Sequence, residues 1–130
     1  MIVLIDTSAW IEFFRPKGDP PVKNRVAELI ARGNALYTCP VHYELIYGAK
    51  PHELAALQKG LSFAKRIQLM PAHWDAAAAT GAELRQSGFN FPALDLLIAT
   101  VASIEKCPLL TRDDHFVAIR DQALPDLQLL

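Results

Sequence analysis

Short apolar runs that alternate with longer segments of helical periodicity constrain the fold more than any other feature. The chain begins with Met1–Ile5, an apolar run rich in β-branched residues that predicts a buried strand. Similar short runs follow at Ala35–Cys39, Arg66–Leu69 and Pro108–Thr111, and Leu127–Leu130 is a candidate fifth strand. Strands separated by helices are typical of a parallel sheet with helices on both faces. We therefore predict an α/β fold.

Helices are expected between these strands, each marked by a capping residue, a proline or a glycine. The last of them, Leu94–Glu105, is apolar nearly all round, so we expect it to be central and buried. The predicted helices are Ser8–Phe14 with Ser8 as its cap, Pro21–Gly33, Pro40–Gly48, a helix opened by Pro51, Ala72–Ser87 and Leu94–Glu105.

The size and composition of the chain fit one compact domain over residues 1–130. The sequence is 52% apolar and 21% charged, which excludes a disordered or fibrous protein. With 13 basic and 14 acidic residues, the formal net charge is −1. A general nucleic-acid coat protein or a polybasic membrane binder would be far more basic.

Nothing in the sequence predicts export or membrane insertion. The first apolar run stops at Asp6, too soon for a signal-peptide core. The longest stretch without Asp, Glu, Lys or Arg, Gly33 to Tyr43, is too short for a membrane helix. The cysteines, Cys39 and Cys107, are too few for a disulfide framework. We expect a cytoplasmic protein with no membrane partner.

Four acidic residues occupy positions where a parallel sheet binds its ligands, at the carboxyl ends of the strands. Asp6 directly follows the first strand, and Asp113 lies just beyond the run that ends at Thr111. Glu44 and Asp95 stand in the first turns of two helices. Taken singly, most of these acids are explained by a helix dipole or a turn. Asp6 is the hardest to explain in that way, because it ends a wholly apolar strand.

Taken together, the four acids predict a metal centre. Two carboxylates about 4 Å apart repel each other by about 4 kcal/mol at an effective dielectric constant near 20. A hard divalent cation such as Mg²⁺ or Mn²⁺ removes this repulsion and suits phosphodiester hydrolysis. The histidines lack the spacing of a zinc site, although His115 flanks the acids; they are His42, His52, His73 and His115.

The ordered set of motifs resembles the PIN-domain ribonucleases and, more narrowly, VapC-type toxins of toxin–antitoxin pairs. It comprises Asp6-Thr7-Ser8, the lone Glu44 in a tyrosine-bearing helix, the apolar helix opened by Asp95, and the Thr-Arg-Asp-Asp-His-Phe run at 111–116. The resemblance extends from residue 1 to about residue 118. It implies a three-layer domain whose central, mostly parallel sheet has four or five strands.

The resemblance also implies a four-acid site for one or two Mg²⁺ or Mn²⁺ ions. Its acids would be Asp6, Glu44, Asp95 and Asp113, with the neighbouring Asp114 as the alternative fourth acid. The hydroxyls of Thr7 and Thr111 would support them.

The resemblance further implies that this protein forms a homodimer, cleaves RNA, and binds a cognate antitoxin, a segment of which would lie across the cleft and block it. The candidate phosphate contacts for RNA are Arg112, Lys50 and Arg15.

Other functions remain open at this level. A phosphoaspartate receiver domain would carry paired acids near the first strand, whereas Asp6 stands alone. A haloacid-dehalogenase-like phosphatase would carry a second Asp two residues later, where this chain has Ser8. Two alternatives stay closer to the resemblance: a catalytically silent PIN-like module for RNA binding or interaction, and a structure-specific DNA nuclease.

Overall fold

The computed structural model describes all residues from Met1 to Leu130, and a four-stranded sheet forms its centre. The strands are β1 (Val3–Ile5), β2 (Ala35–Thr38), β3 (Lys65–Ile67) and β4 (Leu109–Leu110). Their order is β3-β2-β1-β4, and every neighbouring pair is parallel. The predicted α/β class is confirmed, and the sheet is wholly rather than mostly parallel.

Seven α-helices flank this sheet. They are α1 (Thr7–Phe14), α2 (Pro20–Ala31), α3 (Cys39–Gly48), α4 (Leu54–Leu61), α5 (Pro71–Gln86), α6 (Ala93–Glu105) and α7 (His115–Gln122), and a short 3₁₀ helix at Pro51–Glu53 precedes α4. Helix α1 packs against α2 and α3, whereas α6 packs against α5 and α7. None of these helices is both long enough and apolar enough to span a bilayer.

The core is built around β1, one of the two inner strands of the sheet. Val3, Leu4 and Ile5 are completely buried, as the apolar start of the chain predicts. Residues 96–102 of α6 are all buried as well, which confirms the central position expected for this helix. Two apolar layers therefore hold in place the carboxyl end of β1, where Asp6 lies.

Three local predictions were wrong. Leu127–Leu130 is not a full strand, because only Leu129 forms a bridge, to Leu109. Strand β4 has just two residues, so the 127–130 segment beside it cannot pair over a longer stretch. Helix α1 is capped by Asp6 rather than Ser8, since the Asp6 side chain accepts from the backbone of Ala9. Helix α7 was not predicted, because only Phe116 and Ile119 form its buried face.

Gly18, in the turn between α1 and α2, is required by a close backbone approach. A methyl group at Gly18 would lie 1.8 Å from the carbonyl oxygen of Glu12. We expect Gly18→Ala to lower the free energy of unfolding by about 1–3 kcal/mol, because the backbone must move to make room. Urea denaturation measures the change.

Gly48, the last residue of α3, provides the matched control. Apart from its chain neighbours and the backbone of its own helix, no atom lies within 4 Å of the position that its β-carbon would take. Gly48→Ala should therefore leave stability unchanged or raise it by up to about 1 kcal/mol. Equal denaturation midpoints for the two variants would contradict the close contact at Gly18.

Candidate active site

Asp6 lies at the carboxyl end of β1 and is only 3% exposed. Its Oδ1 accepts hydrogen bonds from the Ala9 backbone N–H at 3.0 Å and from the Ser8 hydroxyl at 2.7 Å. Its Oδ2 accepts from the Thr111 hydroxyl at 2.7 Å. Every one of these donors is neutral, so the carboxylate is held rigidly without a compensating positive charge.

The hydroxyls of Thr111 and Ser8 connect β1 to the loop after β4. Thr111 Oγ1 donates to Asp6 and accepts from the backbone N–H of Asp113 at 2.9 Å. Ser8 Oγ donates to Asp6 and accepts from the backbone N–H of Arg112 at 2.8 Å. These links fix the position of Asp113 relative to Asp6. The Thr111 hydroxyl thus contacts Asp6, one of the acids that it was predicted to support.

Asp95 and Asp113 come together at the imidazole of His115. His115 Nδ1 lies 2.9 Å from Oδ2 of Asp95 and 3.3 Å from Oδ1 of Asp113. One ligand atom from each of these side chains falls within a 4.8 Å cluster. Asp95 is in the first turn of α6, and His115 is the first residue of α7. The contact between α6 and α7 thus assembles this cluster.

The electrostatics of the site follow from burial and from the proximity of the acids. Burial raises the pKa of Asp6 to about 6, although its hydrogen bonds act against this rise and the charge of Asp113 adds to it. Burial also raises the pKa of Asp95, against the effect of its hydrogen bond with His115. That hydrogen bond and the nearby carboxylates raise the pKa of His115. The carboxylates are therefore close enough to disfavour each other's charge.

Glu44 lies apart from the His115 cluster, on α3. Its Oε1 accepts a hydrogen bond from the Thr7 hydroxyl at 2.7 Å, and Thr7 directly follows Asp6. Glu44 also lines a groove of about 280 Å³ next to the apolar side chains of Ile11, Phe14 and Leu45. The structure thus connects Glu44 to Asp6 through Thr7 and places it at the edge of an apolar groove.

The remaining predicted residues lie around this centre. Asp114 is exposed, and its side chain makes no capping hydrogen bond to α7. Arg112 is half-exposed and forms an ion pair with Asp19 at 3.3 Å. Lys50 is exposed and directly precedes the 3₁₀ helix, and Arg15 lines the groove beside Glu44. Arg112 and Arg15 line different grooves.

The donor set fits a hard divalent cation. Thr111 connects Asp6 to the backbone of Asp113 by hydrogen bonds. The charge of Asp113 also disfavours ionisation of Asp6 and Asp95. Glu44 accepts a hydrogen bond from Thr7, the residue after Asp6. No lysine or arginine forms an ion pair with any of these acids, whose only cationic contact is His115. A divalent ion would supply the missing positive charge and accept carboxylate oxygens.

Sequence reasoning gave too little weight to Ser8 and His115. Ser8 was part of the Asp6-Thr7-Ser8 motif but was given no role beyond that of a helix cap, whereas its hydroxyl joins the Asp6 carboxylate to the backbone of Arg112. Its position two residues after Asp6 was the only available signal. His115 was noted for its proximity to the acids, but its contact with Asp95 spans 20 residues of sequence and depends on the packing of two helices.

Comparison with solved structures finds close similarity over the whole chain. VapBC2 from Rickettsia felis bound to a promoter DNA fragment has a TM-score of 0.82 at 25% identity, with 100% of this chain and 98% of that chain covered. DNA-bound VapBC from Salmonella typhimurium has a TM-score of 0.82 at 18% identity, covering 100% and 97%. A toxin-antitoxin complex from Klebsiella pneumoniae has a TM-score of 0.69 at 21% identity, covering 98% and 95%.

Comparison of the sequence with protein families identifies the same fold. The PIN domain model matches residues 3–122, which is nearly the whole chain. No curated protein sequence matches the chain. The matched range contains all four strands, all seven helices and every candidate site residue. The PIN resemblance inferred from the sequence is thus confirmed, and the chain belongs to the PIN domain family.

Proposed function

We propose that this protein is a Mg²⁺- or Mn²⁺-dependent endoribonuclease that serves as the toxin of a toxin–antitoxin pair. The observation that carries the proposal is the pair Asp95 and Asp113, which has no lysine or arginine partner and lies beside the buried Asp6 at the carboxyl end of β1, in a chain of the PIN domain family. Such a cluster is electrostatically unfavourable unless a cation occupies it. The similarity of the whole chain to VapBC structures supports the assignment to toxins.

The four acids have two kinds of role in this proposal. Asp6, Asp95 and Asp113 would hold one or two ions, and Glu44, oriented by Thr7, would bind an ion or orient the attacking water. When bound, a divalent ion lowers the pKa of water and neutralises charge on the phosphate. The hydroxyls of Thr111 and Ser8 hold Asp6 and the loop after β4 in place. In-line attack by water would leave 5′-phosphate and 3′-hydroxyl ends.

Arg112 is the best-placed phosphate contact, because it directly precedes Asp113 in the sequence. Its guanidinium now pairs with Asp19, which also caps α2 through the backbone N–H of Val22. An exposed ion pair of this kind is weak, so a phosphate can replace Asp19. The near-zero net charge fits an enzyme that admits RNA at one small cleft rather than one that binds any RNA.

An antitoxin is the proposed protein partner, and a homodimer the proposed assembly. The groove beside Glu44 offers apolar side chains next to a candidate catalytic acid. A partner segment inserted there would cover Glu44 and block access to the site. The similar VapBC structures are complexes of toxin with antitoxin, which supports this kind of regulation.

Metal dependence can be tested with purified protein and a structured RNA. We expect cleavage in Mg²⁺ or Mn²⁺, complete loss in excess EDTA, and recovery when the ion is restored. Sequencing of the RNA ends should find 5′-phosphates and would also identify the substrate. Cleavage that persists in EDTA would contradict the mechanism, and specific cutting of DNA in place of RNA would favour the DNA-nuclease alternative.

The toxin role requires a separate test in cells. We expect growth arrest when the protein is expressed, and recovery when a neighbouring small gene product is expressed with it. Sequencing RNA ends shortly after induction distinguishes direct cleavage from later decay. A protein that cleaves RNA in vitro but is freely tolerated would be a nuclease without the toxin role. A tolerated protein with no cleavage would indicate a catalytically silent module.

A further inference from the structure

We infer that His115 is a nitrogen ligand of the ion held by Asp95 and Asp113, and that it makes this site prefer Mn²⁺ over Mg²⁺. The inference rests on the proposed metal dependence but adds a residue and a metal preference to it. The four acids alone would form an all-oxygen site. His115 changes the chemistry of that site because it brings an imidazole nitrogen to the same point.

Two separations among the three side chains match those between ligands of a single ion, and all three ligand atoms lie within 4.8 Å of one another. His115 Nδ1 is 2.9 Å from Asp95 Oδ2 and 3.3 Å from Asp113 Oδ1. Two ligands at right angles, each about 2.1 Å from an ion, are about 3 Å apart. Both measured separations are close to that value, so small adjustments of the side chains suffice to bind an ion.

A simple ion pair accounts for this arrangement less completely. One ring nitrogen carries at most one proton, yet Nδ1 faces two carboxylate oxygens. The shorter contact gives the ring proton to Asp95, whereas Asp113 Oδ1 accepts only the backbone N–H of His115, at 2.9 Å, and receives no proton from the ring. A divalent ion in place of the proton would satisfy both carboxylates and the nitrogen together.

The ring of His115 is held in this orientation by its surroundings. The backbone N–H of His115 donates to Asp113 Oδ1 at 2.9 Å, which ties the start of α7 to the site. Phe91 packs edge-on against the imidazole, with ring centroids 6.1 Å apart. The next residue, Phe116, is completely buried and anchors the helix. The side chain of His115 is still 48% exposed, so an ion can reach it from solvent.

The metal preference follows from the change in ligands. Mg²⁺ takes oxygen ligands and keeps several waters, and it gains little from an imidazole. First-row transition metals bind imidazole more readily, and Mn²⁺ accepts both carboxylate and nitrogen ligands. A site with two carboxylates and one imidazole therefore favours Mn²⁺ over Mg²⁺ more strongly than a carboxylate site does.

Isothermal titration of the full-length protein with Mn²⁺ alone and Mg²⁺ alone tests this preference. We expect His115→Asn to weaken Mn²⁺ binding by about tenfold or more and to change Mg²⁺ binding much less. His52→Asn is the matched control, because His52 is exposed on the 3₁₀ helix and lies outside the cluster. This control should bind both ions as the wild type does.

Pulsed electron paramagnetic resonance of bound Mn²⁺ detects nitrogen ligation without relying on activity. We expect nitrogen coupling in the wild type and in His52→Asn, and its loss in His115→Asn. Tight Mn²⁺ binding without nitrogen coupling in the wild type, or an unchanged Mn²⁺ to Mg²⁺ affinity ratio in His115→Asn, would overturn the role of His115 and leave the proposed nuclease intact. No binding of either ion to the wild type would overturn both proposals.

Discussion

The Asp6→Asn variant should lose metal-dependent RNA cleavage by more than about a hundredfold, because even residues that only support a metal ligand contribute about 10–100-fold. Asp6 is the most buried of the four acids and is held by donors from Ala9, Ser8 and Thr111. Asparagine has nearly the same shape, so the fold should persist. The loss would therefore report the charge of Asp6 rather than its packing.

The same substitution should stabilise the metal-free protein near neutral pH. Burial raises the pKa of Asp6 from 3.8 to about 6, so the ionised carboxylate is disfavoured in the folded state. Above pH 6 this shift corresponds to a cost of about 3 kcal/mol. Between about pH 4 and pH 6 the unfolded chain releases this proton while the folded chain retains it. The contribution of Asp6 to stability therefore falls as the pH rises through that interval.

Urea denaturation in EDTA at pH 7.5 and at pH 4 measures this effect. We expect Asp6→Asn to be more stable than the wild type by about 1–3 kcal/mol at pH 7.5, with little difference at pH 4. Added Mg²⁺ or Mn²⁺ should stabilise the wild type and leave the variant largely unchanged. Asp75→Asn, on the exposed surface of α5, is the control and should show neither effect. A variant less stable than the wild type at pH 7.5 would mean that ionised Asp6 stabilises the fold.

Substitution of Asp113 should reduce RNA cleavage strongly, whereas substitution of the adjacent Asp114 should not. We expect Asp113→Asn to reduce cleavage by more than about a hundredfold and Asp114→Asn to change it by less than about threefold. Asp113 contacts His115 and is tied to Asp6 through Thr111. Asp114 is exposed and makes no side-chain hydrogen bond at the start of α7.

Single-turnover cleavage and Mn²⁺ titration distinguish these two residues. Asp113→Asn should lose both cleavage and Mn²⁺ affinity, whereas Asp114→Asn should retain both. Asparagine is also a good helix cap, so the second variant should keep the start of α7. The reverse result would identify Asp114 as the fourth acid. Equal losses in both variants would indicate that the negative charge of the loop matters more than one ligand.

Local sequence patterns predicted most of the secondary structure, because each element follows from short-range periodicity and punctuation. The apolar run before Asp6 forms β1, and the apolar segment after Asp95 is buried as α6. The pattern was less reliable where elements are short. Leu127–Leu130 contributes only one bridge, and α7 was missed, because its buried face consists of Phe116 and Ile119 alone.

The sequence by itself determined the parallel α/β class, the position of Asp6 at the end of a buried strand, and the PIN family resemblance. Only the tertiary structure decided which groups meet. His115 reaches Asp95 because α6 packs against α7, and Ser8 reaches the backbone of Arg112 because β1 pairs with β4. Such contacts depend on the packing of distant segments, whereas sequence periodicity specifies only which residues share a face or end a strand.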